Sequence, residues 1–136
     1  MLRQRSRPYL FSNSLPPAVV GASIEMFKML EESNELHDKL VANVEHFRSK
    51  MIAAGFDIKP TQSAICAVML YDAKLSQDFA ARLQDEGIYV TAFYYPVVPK
   101  GQARIRVQVS AGHEREHLDK CIAAFTKIGK EMGVLK

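Results

Sequence analysis

Arg104 and Arg106 stand two residues apart in Ala103-Arg104-Ile105-Arg106-Val107-Gln108-Val109-Ser110, the stretch of the chain best suited to gripping a ligand. Its strict alternation has the two-residue period of a strand. Both guanidiniums therefore share one face, and Ile105, Val107 and Val109 share the other. Two readings are open. The arginines can simply be the solvated face of the strand, or one of them can hold a small anion. Arginine suits a carboxylate because its planar fork makes two parallel, charge-assisted hydrogen bonds, and a strand places that fork more rigidly than a loop does.

Two further segments carry polar groups in a pattern that could matter. Phe11-Ser12-Asn13-Ser14 precedes Pro16-Pro17. Hydroxyl and amide side chains beside a helix start can form a phosphate-binding corner; the same residues also serve as ordinary turn and cap chemistry. The aromatic and proline-rich stretch Phe93 to Gly101 must be a shaped loop, either a pocket wall around Tyr94 and Tyr95 or plain core and turn. His37, His46, His113 and His117 lack metal-ligand spacing and read as surface or capping residues. No Ser-His-Asp or Cys-His arrangement and no glycine-rich phosphate loop can be defended.

The elements that must position these groups follow from hydrophobic spacing. Val19, Val20, Ser23, Met26, Phe27 and Leu30 predict a helix from Ala18 to about Glu32, starting at the Pro-Pro pair. After an interruption at Ser33-Asn34, Leu36, Leu40, Val44, Phe47 and Met51 continue the pattern to Ala54, where Gly55 stops it. The two form one long, kinked helical element. Ile65 to Leu70 is a buried strand. Leu75, Phe79 and Leu83 mark a helix closing at Gly87, and Ile88 to Thr91 is a second strand. Ala103 to Ser110 is a third, antiparallel to the second. A last helix covers about Glu114 to Met132. Residues 1–15 show no periodicity of either kind. The fold class is α+β: a small, mainly antiparallel sheet covered by helices.

A chain of 136 residues, 48% apolar and 24% charged with a net charge of +3, is of ordinary globular composition. No apolar run is long enough to span a bilayer. The basic cluster Arg3, Arg5 and Arg7 reads as a solvated connector, since nucleic-acid binding wants a broader basic face. Cys66 and Cys121 sit in separate apolar runs and read as buried free thiols of a reducing compartment.

Three phrases carry a resemblance that covers essentially the whole chain in order. They are RSRPYLFSNSLPPAVV from Arg5, AAGF at 53–56, and EGIYVTAFYYPVVPKGQARIRVQVSAGH from Glu86. Together they are similar to the α-oxoamine synthases, and YPVVPKG followed by ARIRVQ favours the glycine C-acetyltransferase branch. The resemblance implies the small C-terminal domain of a fold-type I pyridoxal 5'-phosphate (PLP) enzyme. Residues 1–15 would be the end of the large cofactor domain or its connector, and 16–136 the small domain. The implied activity joins glycine and acetyl-CoA into 2-amino-3-ketobutyrate and CoA, a reaction of threonine breakdown, in a cytoplasmic or mitochondrial homodimer.

The resemblance assigns the substrate-carboxylate arginine to Arg106, with Arg104 a neighbour. It assigns cofactor-phosphate contacts, donated to the partner subunit, to Ser12 and Asn13. No lysine here, Lys28, Lys39 and Lys100 included, has the context of the cofactor-attaching lysine. That residue and the rest of the PLP domain are therefore expected upstream of Met1. No catalytic residue and no metal site is assigned within the chain, which by itself is expected to be inert and without PLP. The alternative from another class is a free-standing amino-acid-binding or regulatory α+β module; nucleic acid and membrane are not expected as partners.

Overall fold

The computed structural model describes residues 1–11 and 15–135. It divides into two units, Met1–Asn34 and Glu35–Lys136, each taken by itself below.

The first unit opens with two single helical turns, α1 (Leu2–Arg5) and α2 (Arg7–Leu10). Four residues cannot display a 3.6-residue period, so the sequence shows no sign of them. The guanidinium of Arg7 lies over the Phe11 ring at 5.7 Å. α3 (Pro17–Glu32) then starts at the second proline of the pair, whose fixed φ and missing N–H suit a first helical position. It ends where Ser33 turns extended, at φ −150° and ψ 134°. No residue of α3 is buried. Val19, Val20, Ile24, Met26, Phe27, Met29 and Leu30 are all exposed, which makes this helix the most apolar exposed element among the described residues.

The second unit follows the expected order with one addition and one shift. α4 (Glu35–Ala53) is followed by Gly55, whose φ of +100° takes the chain out of the helix. β1 (Ile58–Lys59) is an addition, too short to show alternation. β2 (Ile65–Tyr71) matches the apolar run, and α5 (Ala73–Asp85) begins on Asp72, whose carboxylate accepts from the Leu75 N–H at 2.7 Å. The strand expected at Ile88–Thr91 instead lies at Thr91–Phe93 and is β3. Gly87 at φ +77° reverses the chain, and the Ile88 N–H bonds back to the Leu83 carbonyl at 2.9 Å. Ile88 and Val90 are thereby spent packing on the core as a helix-ending segment, and ladder pairing starts after them. β4 (Ala103–Gln108) and α6 (Arg115–Glu131) complete the unit.

The four strands form one sheet in the order β1-β2-β4-β3, every neighbouring pair antiparallel. Phe47 of α4, Phe79 and Leu83 of α5, and Phe125 and Ile128 of α6 join Cys66, Val68, Ile105 and Val107 of the sheet in one core. All three helices therefore cover the same sheet face. Phe125 sits at the centre of that core, edge-on to Phe47 and Phe56 with centroids 6.4 and 5.9 Å away, and tilted against Phe79 at 5.6 Å. Such edge contacts add specific geometry to the burial of large apolar surface. α4 is tied to the start of α6 by Lys39–Glu114 at 2.6 Å and, lower down, by His46–Asp119 at 2.6 Å.

Candidate functional site

β4 sits at an interior position of the sheet, paired on both sides, so the period of two has a physical consequence: one row enters the core and the other cannot. Ala103, Ile105, Val107 and Val109 are buried, whereas Arg106 and Gln108 are exposed and Arg104 is half-buried. The expected face division holds residue for residue. Arg106 lies opposite Ala67 of β2 on one side and Thr91 of β3 on the other, and Arg104 lies opposite Met69 and Phe93.

The sheet face away from the helices carries a groove of about 510 Å³. Arg104, Arg106 and Phe93 form part of its lining, with Lys59 and the Thr61–Ser63 hydroxyls on the β1 side and Val97–Val98 on the loop side. The register explains the shape. Lys59 pairs with Ala67 and Ala67 with Arg106, so two cations flank an alanine floor. Their Cα atoms are about 10 Å apart, two strand spacings. Among the described residues, three cationic side chains line the groove and no carboxylate does. That charge pattern favours an anion, because it raises the local positive potential with nothing to cancel it.

Two details describe the surroundings of the arginines. The guanidinium carbon of Arg106 stands 4.5 Å from the centroid of Phe93, within the ~6 Å reach of a cation–π contact. The Nε of Arg104 is buried and has no hydrogen-bond partner, an arrangement proteins avoid unless something else meets the donor. The hydroxyls opposite are mutually ordered: Thr61 Oγ1 lies 3.1 Å from Ser63 Oγ and accepts from the Ser63 N–H at 3.1 Å. Lys59, Thr61 and Ser63 were not singled out in the sequence. Only the pairing of a two-residue strand brings them to Arg106, and no local periodicity announces it.

The loop after Phe93 is shaped as the sequence requires. Val97 and Val98 N–H groups both bond the Tyr94 carbonyl, at 2.9 and 3.2 Å, the Tyr95–Pro96 peptide is cis, and Gly101 adopts φ +74°. Lys100 lies over Tyr95 at 5.1 Å. Pro99 and Lys100 line a separate small recess with Tyr71 and Ala73, so the loop contributes only Val97 and Val98 to the groove.

Ser12 and Asn13 lie outside the described residues, and the structure neither brings them to Arg106 nor separates them from it. Ser12 offers a hydroxyl and Asn13 an amide, donors that serve a phosphate or an ordinary turn and cap alike. The arginine groove is cationic and so fits a carboxylate in charge.

The histidines act structurally. The Nδ1 of His113 accepts from the Ser110 N–H at 3.1 Å, and that of His117 accepts from the Glu114 N–H at 3.1 Å, closing a capping box at the start of α6. Cys66 and Cys121 are buried free thiols. Burial pushes the Cys121 thiol up to about 12. Among the described residues no group of His, Cys, Asp or Glu could hold a metal ion, and no helix is long and apolar enough to cross a membrane.

Known proteins line up with the chain along its whole length. The family described as aminotransferase class I and II matches residues 1–125. The 2-amino-3-ketobutyrate coenzyme A ligase of Escherichia coli (strain K12) is 59% identical over 134 residues, covering 98% of this chain and 34% of that protein. The mitochondrial 2-amino-3-ketobutyrate coenzyme A ligase of Homo sapiens is 52% identical over 135 residues, covering 99% and 32%. The chain thus spans about a third of the length of the curated relatives it matches. Among solved structures, a Sphingomonas wittichii serine palmitoyltransferase superposes with TM-score 0.87 at 28% identity, covering 99% of this chain and 34% of that one. A second serine palmitoyltransferase, from S. paucimobilis and with bound PLP-myriocin, superposes with TM-score 0.86 at 31% identity, covering 98% and 34%.

Proposed function

The chain belongs to the class I and II aminotransferase family, and from that premise we propose that it is the C-terminal part of a PLP-dependent acyltransferase. The enzyme joins glycine and acetyl-CoA to give 2-amino-3-ketobutyrate and CoA. The observation that carries this reading is Arg106 on the open sheet face, in a groove lined by three cations and no acid. The shared length with 2-amino-3-ketobutyrate coenzyme A ligases supports the choice of reaction.

Arg106 binds the glycine carboxylate through two parallel N–H···O bonds, and its fixed position on β4 sets which Cα–H bond faces the reacting centre. Ser12 and Asn13 donate to the phosphate of the cofactor in the partner subunit of a homodimer. Pyridoxal 5'-phosphate, when bound, supplies the electron sink for the charge left by Cα deprotonation. The lysine that attaches it comes from the large domain, which residues 1–15 connect to the small domain of residues 16–136. The acyl site is likewise largely outside this chain, so the chain by itself is inactive.

The test is a hybrid in which this chain replaces the corresponding third of the Escherichia coli relative. Arg106→Gln should raise the glycine KM by roughly 10- to 150-fold, the worth of about 1.5–3 kcal/mol for hydrogen bonds to a charged group, and lower turnover as well. The acetyl-CoA KM should hold. An unchanged glycine KM would overturn the assignment of Arg106.

A further inference from the structure

We infer that Phe93 is a positioning residue for Arg106, holding its guanidinium flat so that the donor edge is presented to the substrate carboxylate; this rests on the carboxylate reading given above. Arg106 is an exposed side chain with several rotatable bonds and no carboxylate among its groove neighbours to hold it. Left to itself it would sample many rotamers, and each binding event would have to order it. Phe93 supplies the missing restraint. It ends β3, directly opposite Arg104 and diagonal to Arg106, a relation close enough for long and aromatic side chains to meet. Its ring is half-buried and lines the same groove.

The geometry suits this role. At 4.5 Å from the ring centroid, the guanidinium gains the attraction of the ring's negative face. Its N–H donors lie around the rim of its plane, not on the face. A ring stacked against that plane would therefore fix orientation without occupying the bonds that a carboxylate takes. A leucine would fill similar space and supply no such field. Phe93 touches neither the reacting atoms nor the carboxylate, so it acts only through Arg106, and its effect is expected first in glycine binding.

Two measurements test it. In the 136-residue chain, the Arg106 Nε–Hε NMR signal, assigned through Arg106→Lys, should be shifted by the ring current away from the other arginines. Phe93→Leu should return it to them, and Phe93→Tyr should retain the shift. In the hybrid enzyme, Phe93→Leu should raise the glycine KM about 2- to 30-fold, the span of cation–π contacts from exposed to desolvated settings. Turnover at saturating glycine should fall by no more than it does in Arg106→Gln, the acetyl-CoA KM should hold, and Phe93→Tyr should restore the glycine KM. A glycine KM that rises in Arg106→Gln but not in Phe93→Leu overturns this inference and leaves the carboxylate reading standing. No rise in Arg106→Gln overturns both. Should Phe93→Leu not fold, the wild-type signal and Phe93→Tyr still decide: an Arg106 signal among the exposed arginines in both sinks the inference.

Discussion

Replacing Asn43 with alanine should cost about 2 kcal/mol of stability, and the reason lies at the end of the strand that carries Arg106. Asn43 is only 4% exposed. Its Nδ2 donates to the Ser110 carbonyl at 3.2 Å and to the His113 carbonyl at 2.8 Å. One amide on α4 thus clamps the turn that leads from β4 into α6. Two intramolecular hydrogen bonds at about 1 kcal/mol each give the figure. The partner carbonyls belong to an exposed serine and a half-exposed histidine, so water can rehydrate them and the larger penalty for orphaned buried groups does not apply. For a chain of this size the loss corresponds to a melting point lower by roughly 6–10 °C.

Asn43→Asp turns the same contact into a test of sign. The shape is kept, but an ionised carboxylate points acceptors at two carbonyl oxygens, while the protonated acid recovers one O–H donor. The folded state therefore favours the neutral form and raises this carboxyl above its unfolded value of about 3.9. A raised acid binds its proton more readily folded than unfolded, so the deficit relative to wild type is largest near pH 7. It shrinks as pH falls through the raised value. Urea denaturation of wild type and both variants between pH 4 and 8 measures this, with the other titrating groups cancelling in the difference. A deficit in Asn43→Asp that is flat or grows on acidification, or an Asn43→Ala of unchanged stability, would refute the clamp.

Three further outcomes follow from named contacts. Gly129→Ala should lower stability by about 1–2 kcal/mol in the same denaturation assay: its new Cβ would stand 2.8 Å from Phe56 Cζ and 3.0 Å from Leu135 Cγ. The cost of overpacking, ~1–3 kcal/mol, outweighs alanine's helix preference of up to ~1 kcal/mol because Phe56 is held by Phe79 and Phe125. Neither cysteine should react with a thiol reagent at pH 8 until denaturant is added, since burial raises both thiols and leaves Cys121 only about one part in ten thousand thiolate. The isolated chain should self-associate or bind a hydrophobic dye through the apolar residues of α3 in sedimentation and fluorescence assays, and Phe27→Lys with Leu30→Lys should suppress both effects.

How far the sequence exposes its own fold depends on how local each cause is. The face division of β4 was legible because strand alternation is a property of consecutive residues, and Arg106 could be placed on the open face before any partner was known. The displaced start of β3 was not legible. Ile88 and Val90 have the composition of strand residues, yet the glycine turn at Gly87 spends them on the core, and only the register with β4 begins the ladder at Thr91. β1 escapes notice for the opposite reason, being too short for a period of any kind. The four longer helices, α3 to α6, were legible because each repeats its apolar stripe over several turns, long enough for period to outweigh composition.

The chemistry of the groove belongs to the non-local class, and this explains why the resemblance to a family was needed to choose between two readings of Arg104 and Arg106. An i, i+2 pair of arginines says only that two cations share a face. Whether that face is a site depends on what else stands there. Lys59 and Thr61 arrive through β1, and Phe93 through β3, across sequence gaps that no alternation spans. The same placement explains why an exposed arginine need not be a spare one. A guanidinium with acids around it would be neutralised by its own protein. Arg106 instead has Lys59 and Arg104 in its groove, an aromatic ring at its side and no carboxylate in the lining. On the proposed reading, the carboxylate of the substrate supplies the counter-charge that the described lining of the groove does not.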